Sequence, residues 1–267
     1  MRQLNRVFVY VLSATLIAGV ATSCKKKRAD EPIISQTETP KPTPTPEESK
    51  GEEKETVDPS TGIKIKSVEL DVSAYDKFVY FSFDRGIVTI SDEQSRHHDN
   101  WDMAFHRADM RTNSGESTAI GAKGGAVETN SMLLSEQIAI PADDKFETDV
   151  PYIVAIRHTD EEGVVQGRLP VNPVLTTKTL PILDKDGNPI LGDNGFIQYK
   201  VHRRGAIVMD LSRMPPSMEL SKKVYIIRTP SGKYAKIRIV RYKRKPNTPM
   251  GDPGRLLTME YVYPVSR

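Results

Sequence analysis

The sequence predicts an all-β protein, and two observations lead to that prediction. Apolar and polar side chains alternate in short runs, beginning with "IKIKSVELDVS" at residues 63–73, and such alternation is typical of strands with one buried face. Turn-forming residues such as "PSG" at residues 230–232 separate the runs. No long segment repeats its apolar residues with the period of a helix. We therefore expect one mostly antiparallel β domain over residues 61–267.

The predicted strands follow one another through this domain. "FVYFSF" and "GIVTIS" flank a short turn at Asp84 and Arg85. Further strands are predicted in "YIVAIRH", "GFIQYKVH", "GAIVMDL", "KVYIIRT", "YAKIRIVRYK" and "LLTMEYVYPV". The segment "MLLSEQIAI" at residues 132–140 fits either a short helix or another strand.

Residues 1–23 have the features of a secretory signal peptide. Arg2 and Arg6 supply positive charge, and the apolar run that follows, residues 7–20, is shorter than the ~20 residues that span a bilayer. Small residues then lead to Cys24, as in a bacterial lipoprotein signal. In that interpretation Cys24 becomes an acylated, palmitate-bearing N-terminus, and several acyl chains anchor the protein to the membrane. The alternative is an ordinary signal peptide followed by an incidental cysteine.

Residues 24–60 are expected to form a disordered tether. Four basic residues, 25–28, could contact anionic headgroups or could only keep the tether solvated. Prolines at positions 40, 42, 44 and 46 alternate with polar residues, which favours an extended chain. The glutamate-rich run after them cannot bury a core.

Composition excludes several functions. The 38 basic and 35 acidic side chains leave a net charge of only +3, which gives no reason to propose a nucleic-acid partner. With one cysteine in the chain, neither an intramolecular disulfide nor a cysteine-based metal cluster can form.

One stretch, "WDMAFHRADMRTNSGESTAIGAKGGA" at residues 101–126, has the composition of an active site. It lacks the spacing of a phosphate-binding loop or of a nucleophile elbow, so we expect its glycines to form a close-packed loop. His106 is expected to be a hydrogen-bonded structural residue, and Trp101, Met103 and Phe105 to share one strand face. His97 and His98 have no recognisable metal-binding partner. A hydrolase using this stretch is the least supported hypothesis, and we predict that the protein is not an enzyme.

Four blocks of sequence together resemble the HmuY family of haem-binding lipoproteins of Bacteroidota. They are "FVYFSFDRG", "NWDMAFHRADMRTNSGESTAIGAKGGA", "LSKKVYIIRTPSGKYAKIRIVRY" and "LTMEYVYPV". The resemblance runs from about residue 68 to the C-terminus and includes the signal that ends in a cysteine.

The resemblance implies a hand-shaped all-β domain with projecting hairpins that hold haem. It implies two axial side-chain ligands to the iron and transfer of haem to a TonB-dependent outer-membrane receptor. It also implies a lipid-anchored location in the outer membrane, at the cell surface, and a role in iron acquisition. Haem or a related porphyrin would be bound as cargo.

Met214 and His158 are the candidate axial ligands on this basis, since mixed histidine and methionine ligation suits haem. Met209 and His202 are weaker candidates. Met209 could instead pack in the core, as methionine usually does, and Met214 could fill a gap. Arg203 and Arg204 could pair with the haem propionates or could form a solvated edge.

A second function remains open from the sequence. The loop that follows His158 contains no methionine and carries Glu161 and Glu162. An HmuY-like lipoprotein without haem ligands, which binds another small molecule or a protein partner, is therefore the alternative.

Overall fold

The residues that the computed structural model describes form many strands and very little helix. They are residues 53–157, 164–182, 184–185, 190–193, 195, 198–202, 204–210, 217–248 and 254–267. Within them the regular structure comprises sixteen strands, one four-residue α-helix and two short 3₁₀ turns. The all-β prediction is confirmed.

In chain order the strands are β1 (Glu53–Val57), β2 (Lys64–Asp71), β3 (Val79–Ser82), β4 (Gly86–Val88), β5 (Met103–His106), β6 (Asp109–Thr112), β7 (Gly125–Glu128), β8 (Val150–Arg157), β9 (Val164–Val171), β10 (Lys178–Pro181), β11 (Tyr199–His202), β12 (Ile207–Asp210), β13 (Ser217–Leu220), β14 (Tyr225–Arg228), β15 (Tyr234–Arg244) and β16 (Arg255–Val265). The helix α1 (Asp92–Ser95) lies between β4 and β5. Ser91 caps it through a reciprocal pair of hydrogen bonds with Gln94.

Two antiparallel sheets supply the core. The larger has the strand order β1-β2-β16-β15-β14-β7, and the smaller has the order β4-β3-β5-β6. Side chains from both sheets share one buried cluster, which includes Leu70, Phe81, Phe105, Ile237 and Tyr261. Each sheet therefore buries one apolar face against that cluster.

Strand β2 shows why the alternating sequence folds in this way. Val68 and Leu70 are buried, whereas Glu69 and Asp71 between and after them are exposed. Asp71 forms an ion pair of 2.5 Å with Lys245 on the solvent side. Successive side chains of a strand point to opposite faces, so one period-2 run supplies both the core and the surface.

Strand pairing begins earlier in the chain than composition predicts. β1 pairs with β2 along its whole length, although all five of its side chains are exposed. Residues 53–57, predicted as the end of the tether, thus form the edge of the larger sheet. The sequence pattern did not predict β1 because this charged edge strand buries no apolar face. It therefore lacks the alternation of apolar and polar side chains by which the other strands were recognised.

The segment at residues 132–140 is neither a helix nor a strand, so both structures predicted for it are wrong. Its backbone oxygens are bonded by basic side chains instead. The Nζ of Lys236, which is almost fully buried, donates to the carbonyl oxygens of Leu134 and Glu136. Arg238 donates to the carbonyl of Met132 over 2.6 Å. These bonds satisfy polar groups that a helix or a ladder would otherwise pair.

Trp101 does not share a face with Met103 and Phe105, so that prediction is wrong. Trp101 precedes β5 and packs with Tyr80 and Ala104, whereas Met103 and Phe105 belong to the core between the sheets. Its Nε1 donates to the carbonyl of Ser95 over 2.9 Å. Alternation holds only inside a regular strand, and β5 begins two residues after the tryptophan.

Candidate ligand-binding site at the common base of three hairpins

Three hairpins form two-stranded sheets of their own, namely β8–β9, β10–β11 and β12–β13. All four candidate ligands lie on these hairpins. His158 directly follows β8 and Met214 lies between β12 and β13, and both are outside the described residues. Met209 lies in β12 and His202 ends β11, and only their backbone positions are described.

The bases of the hairpins are joined at one place. Thr176 forms a parallel bridge with Ile207, which connects the chain after β9 to the start of β12. Thr177 Oγ1 donates to the Ile207 carbonyl over 2.7 Å, and the Ala206 amide donates to the Leu175 carbonyl over 2.9 Å. Residues 172–177 and 204–207 therefore form a common base.

The hairpins differ in the length of strand that leaves this base. Hairpin β8–β9 pairs eight residues on each strand, and β12–β13 pairs four. At about 3.3 Å per residue these lengths correspond to roughly 26 Å and roughly 13 Å. His158 follows the far end of the longer hairpin, whereas Met209 lies two residues from the base. Which donors can meet around one ligand therefore depends on the direction in which each hairpin leaves the base.

Sequence reasoning missed one donor on these hairpins. Met218 of β13 is opposite Met209 in the strand register, and 38% of its surface is exposed. A thioether that is exposed to this extent on a short hairpin can contact an apolar ligand or a soft metal. The available signal was its position after two prolines, directly at the start of a strand.

Arg204, predicted as a partner for carboxylates, already has one. It forms an ion pair of 2.7 Å with Glu147, and both side chains are partly exposed. Arg203 lies outside the described residues. The ion pair connects the junction of β11 and β12 to the segment that enters β8.

The stretch at residues 101–126 stabilises the fold. His106 is buried, its Nε2 donates to the Tyr75 carbonyl over 2.8 Å, and its Nδ1 faces Asp109 at 3.3 Å. Burial disfavours the imidazolium, but these two partners outweigh it and raise the pKa of His106. The prediction of a structural histidine is confirmed.

The glycines of this stretch allow close backbone approach, as predicted. A Cβ on Gly124 would lie 2.5 Å from the carbonyl oxygen of Asn113, and one on Gly115 would collide with the backbone of Asp149. Gly115 also has a positive φ of 49°. Side chains other than hydrogen are excluded at both positions.

Arg111, in the same stretch, is enclosed by aromatic rings. Its guanidinium lies 3.8 Å from the ring centre of Phe78 and donates to the hydroxyl of Tyr80. Asp92 lies 3.5 Å away. Burial lowers the pKa of Arg111 to about 10. These contacts stabilise the buried charge within the fold.

Among the described residues, no group of three or more His, Cys, Asp or Glu side chains could hold a metal ion. In the same part of the chain, no helix is long and apolar enough to cross a membrane.

These features define the class of the protein. It is an all-β protein in which two sheets enclose the core and three separate hairpins share one base. The family model described as "HmuY protein" matches residues 74–254. The chain therefore belongs to the HmuY family.

Among solved structures similar to the chain at low identity, one with a TM-score above 0.5 shows the same fold. A candidate HmuY-like haem-binding protein from Bacteroides vulgatus is 21% identical, covers 79% of this chain and 97% of its own, and has a TM-score of 0.51. A candidate lipoprotein from Bacteroides fragilis is 21% identical over 79% of this chain and 95% of its own, with a TM-score of 0.49. An apo HmuY analogue from Tannerella forsythia is 18% identical over 80% and 98%, with a TM-score of 0.43. No curated protein matches the chain.

Proposed function

We propose that the protein is a membrane-anchored, haem-binding lipoprotein that captures haem through two axial side-chain ligands and passes it to an outer-membrane receptor. One observation is the main support: Met209 and His202 lie in hairpin strands of an HmuY-family fold, and in sequence His158 and Met214 fall between the paired strands of two hairpins. Imidazole and thioether groups are common axial ligands of haem iron. The similar structure from Bacteroides vulgatus is that of a candidate haem-binding protein.

Met214 and His158 are the proposed pair. In sequence each lies between the two paired strands of a hairpin, and donors from two such segments can reach opposite faces of a porphyrin. Met209 and His202 lie in strands near the common base and are the second choice. Arg204 would have to leave Glu147 before it could pair with a propionate.

A haemin titration tests this function. The full-length protein in mild detergent is titrated with haemin and its visible spectrum recorded, with micelles alone as the blank. Sharp low-spin bands are expected. Replacing a true ligand, in Met214→Leu or His158→Gln, should abolish those bands and weaken binding by at least the ~10-fold that loss of a supporting contact costs at metal sites.

Matched controls are available elsewhere in the chain. Met132→Leu and His97→Gln change exposed residues away from the hairpins, and both variants should bind haemin as the wild type does. If the wild type gives no Soret shift in either redox state, haem is not the ligand. The alternative would then be favoured, an HmuY-like lipoprotein that binds another small molecule or a protein.

The anchor and location are proposed from the sequence alone. Acylation of Cys24 would place the protein in the outer membrane, and the surface would give it access to external haem and to a TonB-dependent receptor. Cells fed a palmitate analogue should label the wild type and not Cys24→Ser. Protease added to intact cells should degrade the protein if it faces outward. Wild-type protein without label would contradict acylation of Cys24. Full protection from protease would contradict the location at the cell surface.

A further inference from the structure

A single carboxylate stands where the longest hairpin meets the core. Asp149 directly precedes β8, and Asn172 directly follows β9. Asp149 is fully buried, at 1% exposure, and Asn172 at 0%. The two residues therefore form the joint from which both strands of β8–β9 depart.

The end of β6 and the loop that follows it supply most of the donors to this carboxylate. Thr112 donates to Asp149 from its amide over 2.9 Å and from its hydroxyl over 2.7 Å. The hydroxyl of Ser117 donates over 2.6 Å, and that of Ser114 lies 3.3 Å away. The hydroxyl-rich run that resembled an active site thus binds the side chain of one buried aspartate.

Asn172 closes the joint from the other strand. Its Nδ2 donates to Asp149 Oδ1 over 3.1 Å and to the Glu147 carbonyl over 2.9 Å. Its backbone amide donates to the carbonyl of Met110 over 2.8 Å. Both strand ends are thereby bound to β6 and to the loop that follows it.

The surroundings of Asp149 contain little charge. Its hydrogen-bond partners are hydroxyls, an amide side chain and backbone amides, and Arg111 of β6 is the described basic group that acts on it electrostatically. Glu147, two residues earlier, is partly exposed and engaged with Arg204. A buried carboxylate surrounded by fixed donors has few alternative positions, because leaving them would cost unpaired polar groups on both sides.

Within the described residues, few other side-chain contacts attach this hairpin to the core. β8–β9 pairs with no described strand of either core sheet. Leu169 of β9 packs against the cluster formed by Phe78, Tyr80, Trp101 and Ala104, which gives a further attachment. The joint and this apolar contact therefore hold the base of the hairpin against the core.

We propose that Asp149 is a positioning residue that fixes the direction in which the β8–β9 hairpin leaves the core. The ligand-binding consequence rests on the proposed haem-binding function, because His158 directly follows β8 in the sequence. The positioning itself does not depend on haem. Asp149 would not touch the ligand and would act through the hairpin.

The test is amide hydrogen exchange on the full-length protein, read by mass spectrometry, together with the haemin titration. In Asp149→Asn the new amide group must face at least one N–H donor, from either Thr112 or Asn172. Exchange in residues 150–157 and 164–171 should rise about ten-fold, while β15 and β16 keep wild-type rates. Haemin affinity should fall with it, and low-spin bands should weaken.

Asp102→Asn is the matched control. Asp102 is also a buried aspartate, but it accepts from the Phe83 amide in a different loop, over 2.7 Å. This variant should leave exchange in β8–β9 and haemin affinity unchanged. If Asp149→Asn does not fold, Asn172→Ala replaces it with the same expected result. That variant removes the donations from Nδ2 and the hydrogen bond that the Val174 amide donates to Oδ1.

The outcomes separate this proposal from the proposed function. Wild-type exchange rates in β8–β9 of the folded variant would overturn the positioning role. Faster exchange throughout the core, equal in all strands, would also overturn it, because Asp149 would then only stabilise the fold. A wild type that binds no haemin refutes the haem function, and the exchange rates still decide the role of Asp149.

Discussion

Replacing Trp101 should mainly cost stability, because the residue packs inside the fold and lies outside the three hairpins. The side chain is fully buried on the outer face of the smaller sheet, in a cluster with Phe78, Tyr80 and Ala104. Its ring meets that of Tyr80 edge-on at 5.0 Å. Through its bond to the Ser95 carbonyl it also attaches the end of α1 to the sheet.

The expected loss follows from these contacts. Removing a buried tryptophan side chain costs about 3–5 kcal/mol in Trp101→Ala. The Ser95 carbonyl would lose its indole donor, which adds on the order of 1 kcal/mol. Trp101→Phe keeps much of the ring and loses the donor, so it should cost about 1–2 kcal/mol. The two variants thereby separate packing from hydrogen bonding.

Urea unfolding followed by far-UV circular dichroism measures both values. Fluorescence is unsuitable because Trp101 is the only tryptophan of the chain. A loss below 1 kcal/mol in Trp101→Ala would refute the packing argument. A folded Trp101→Phe protein that no longer binds haemin would show that this cluster contributes to binding, directly or through its contact with Leu169 of β9.

Three further predictions concern other contacts of the fold. Burial raises the pKa values of Asp149 and Asp102 to about 6 from an ordinary 3.8. The folded protein therefore holds these two protons more tightly than the unfolded chain does. The resulting stabilisation of the fold is complete below pH 3.8 and is lost as the pH rises through 6. From pH 5 to pH 7.5 the free energy of unfolding should fall by about 1.4 kcal/mol per group, and a higher urea midpoint at pH 7.5 would contradict this. Gly124→Ala should lower the free energy of unfolding, measured in urea, by about 1–3 kcal/mol, because the new Cβ would overlap the Asn113 carbonyl. An unchanged urea midpoint would show that the backbone of the loop can shift to accommodate the methyl group. Lys236→Met should leave the carbonyl oxygens of Leu134 and Glu136 without their Nζ donor, speed hydrogen exchange in residues 131–140 and lower the free energy of unfolding by about 1–3 kcal/mol. Unchanged exchange would mean that apolar contacts alone hold the segment.

The sequence predicted the strands of the core well because each buries one face. β2 and β15 alternate visibly, and the turn at residues 230–232 joins β14 to β15 where expected. The edge strand β1 and the segment at residues 132–140 could not be predicted in this way. The first buries nothing, and the second is held by hydrogen bonds from Lys236 and Arg238, which lie about a hundred positions later in the chain.

The candidate site was predictable only in part. The resemblance led to residues on the hairpins, and the strand order confirms that Met209 and His202 belong to hairpin strands. Nothing in the sequence indicated that Asp149, a lone aspartate before a strand, would accept hydrogen bonds from three hydroxyl-bearing side chains within residues 112–117. Such a joint depends on contacts between segments more than thirty residues apart, and local pattern carries no information about them.

The separation of the hairpins from the core sheets also bears on how this family can vary. Among the described residues, no backbone ladder joins β8–β9, β10–β11 or β12–β13 to either core sheet. An insertion or substitution far from the base of a hairpin therefore breaks no described backbone hydrogen bond of the core sheets. The segments between the hairpin strands can thus diverge in length and sequence while the core sheets keep folding.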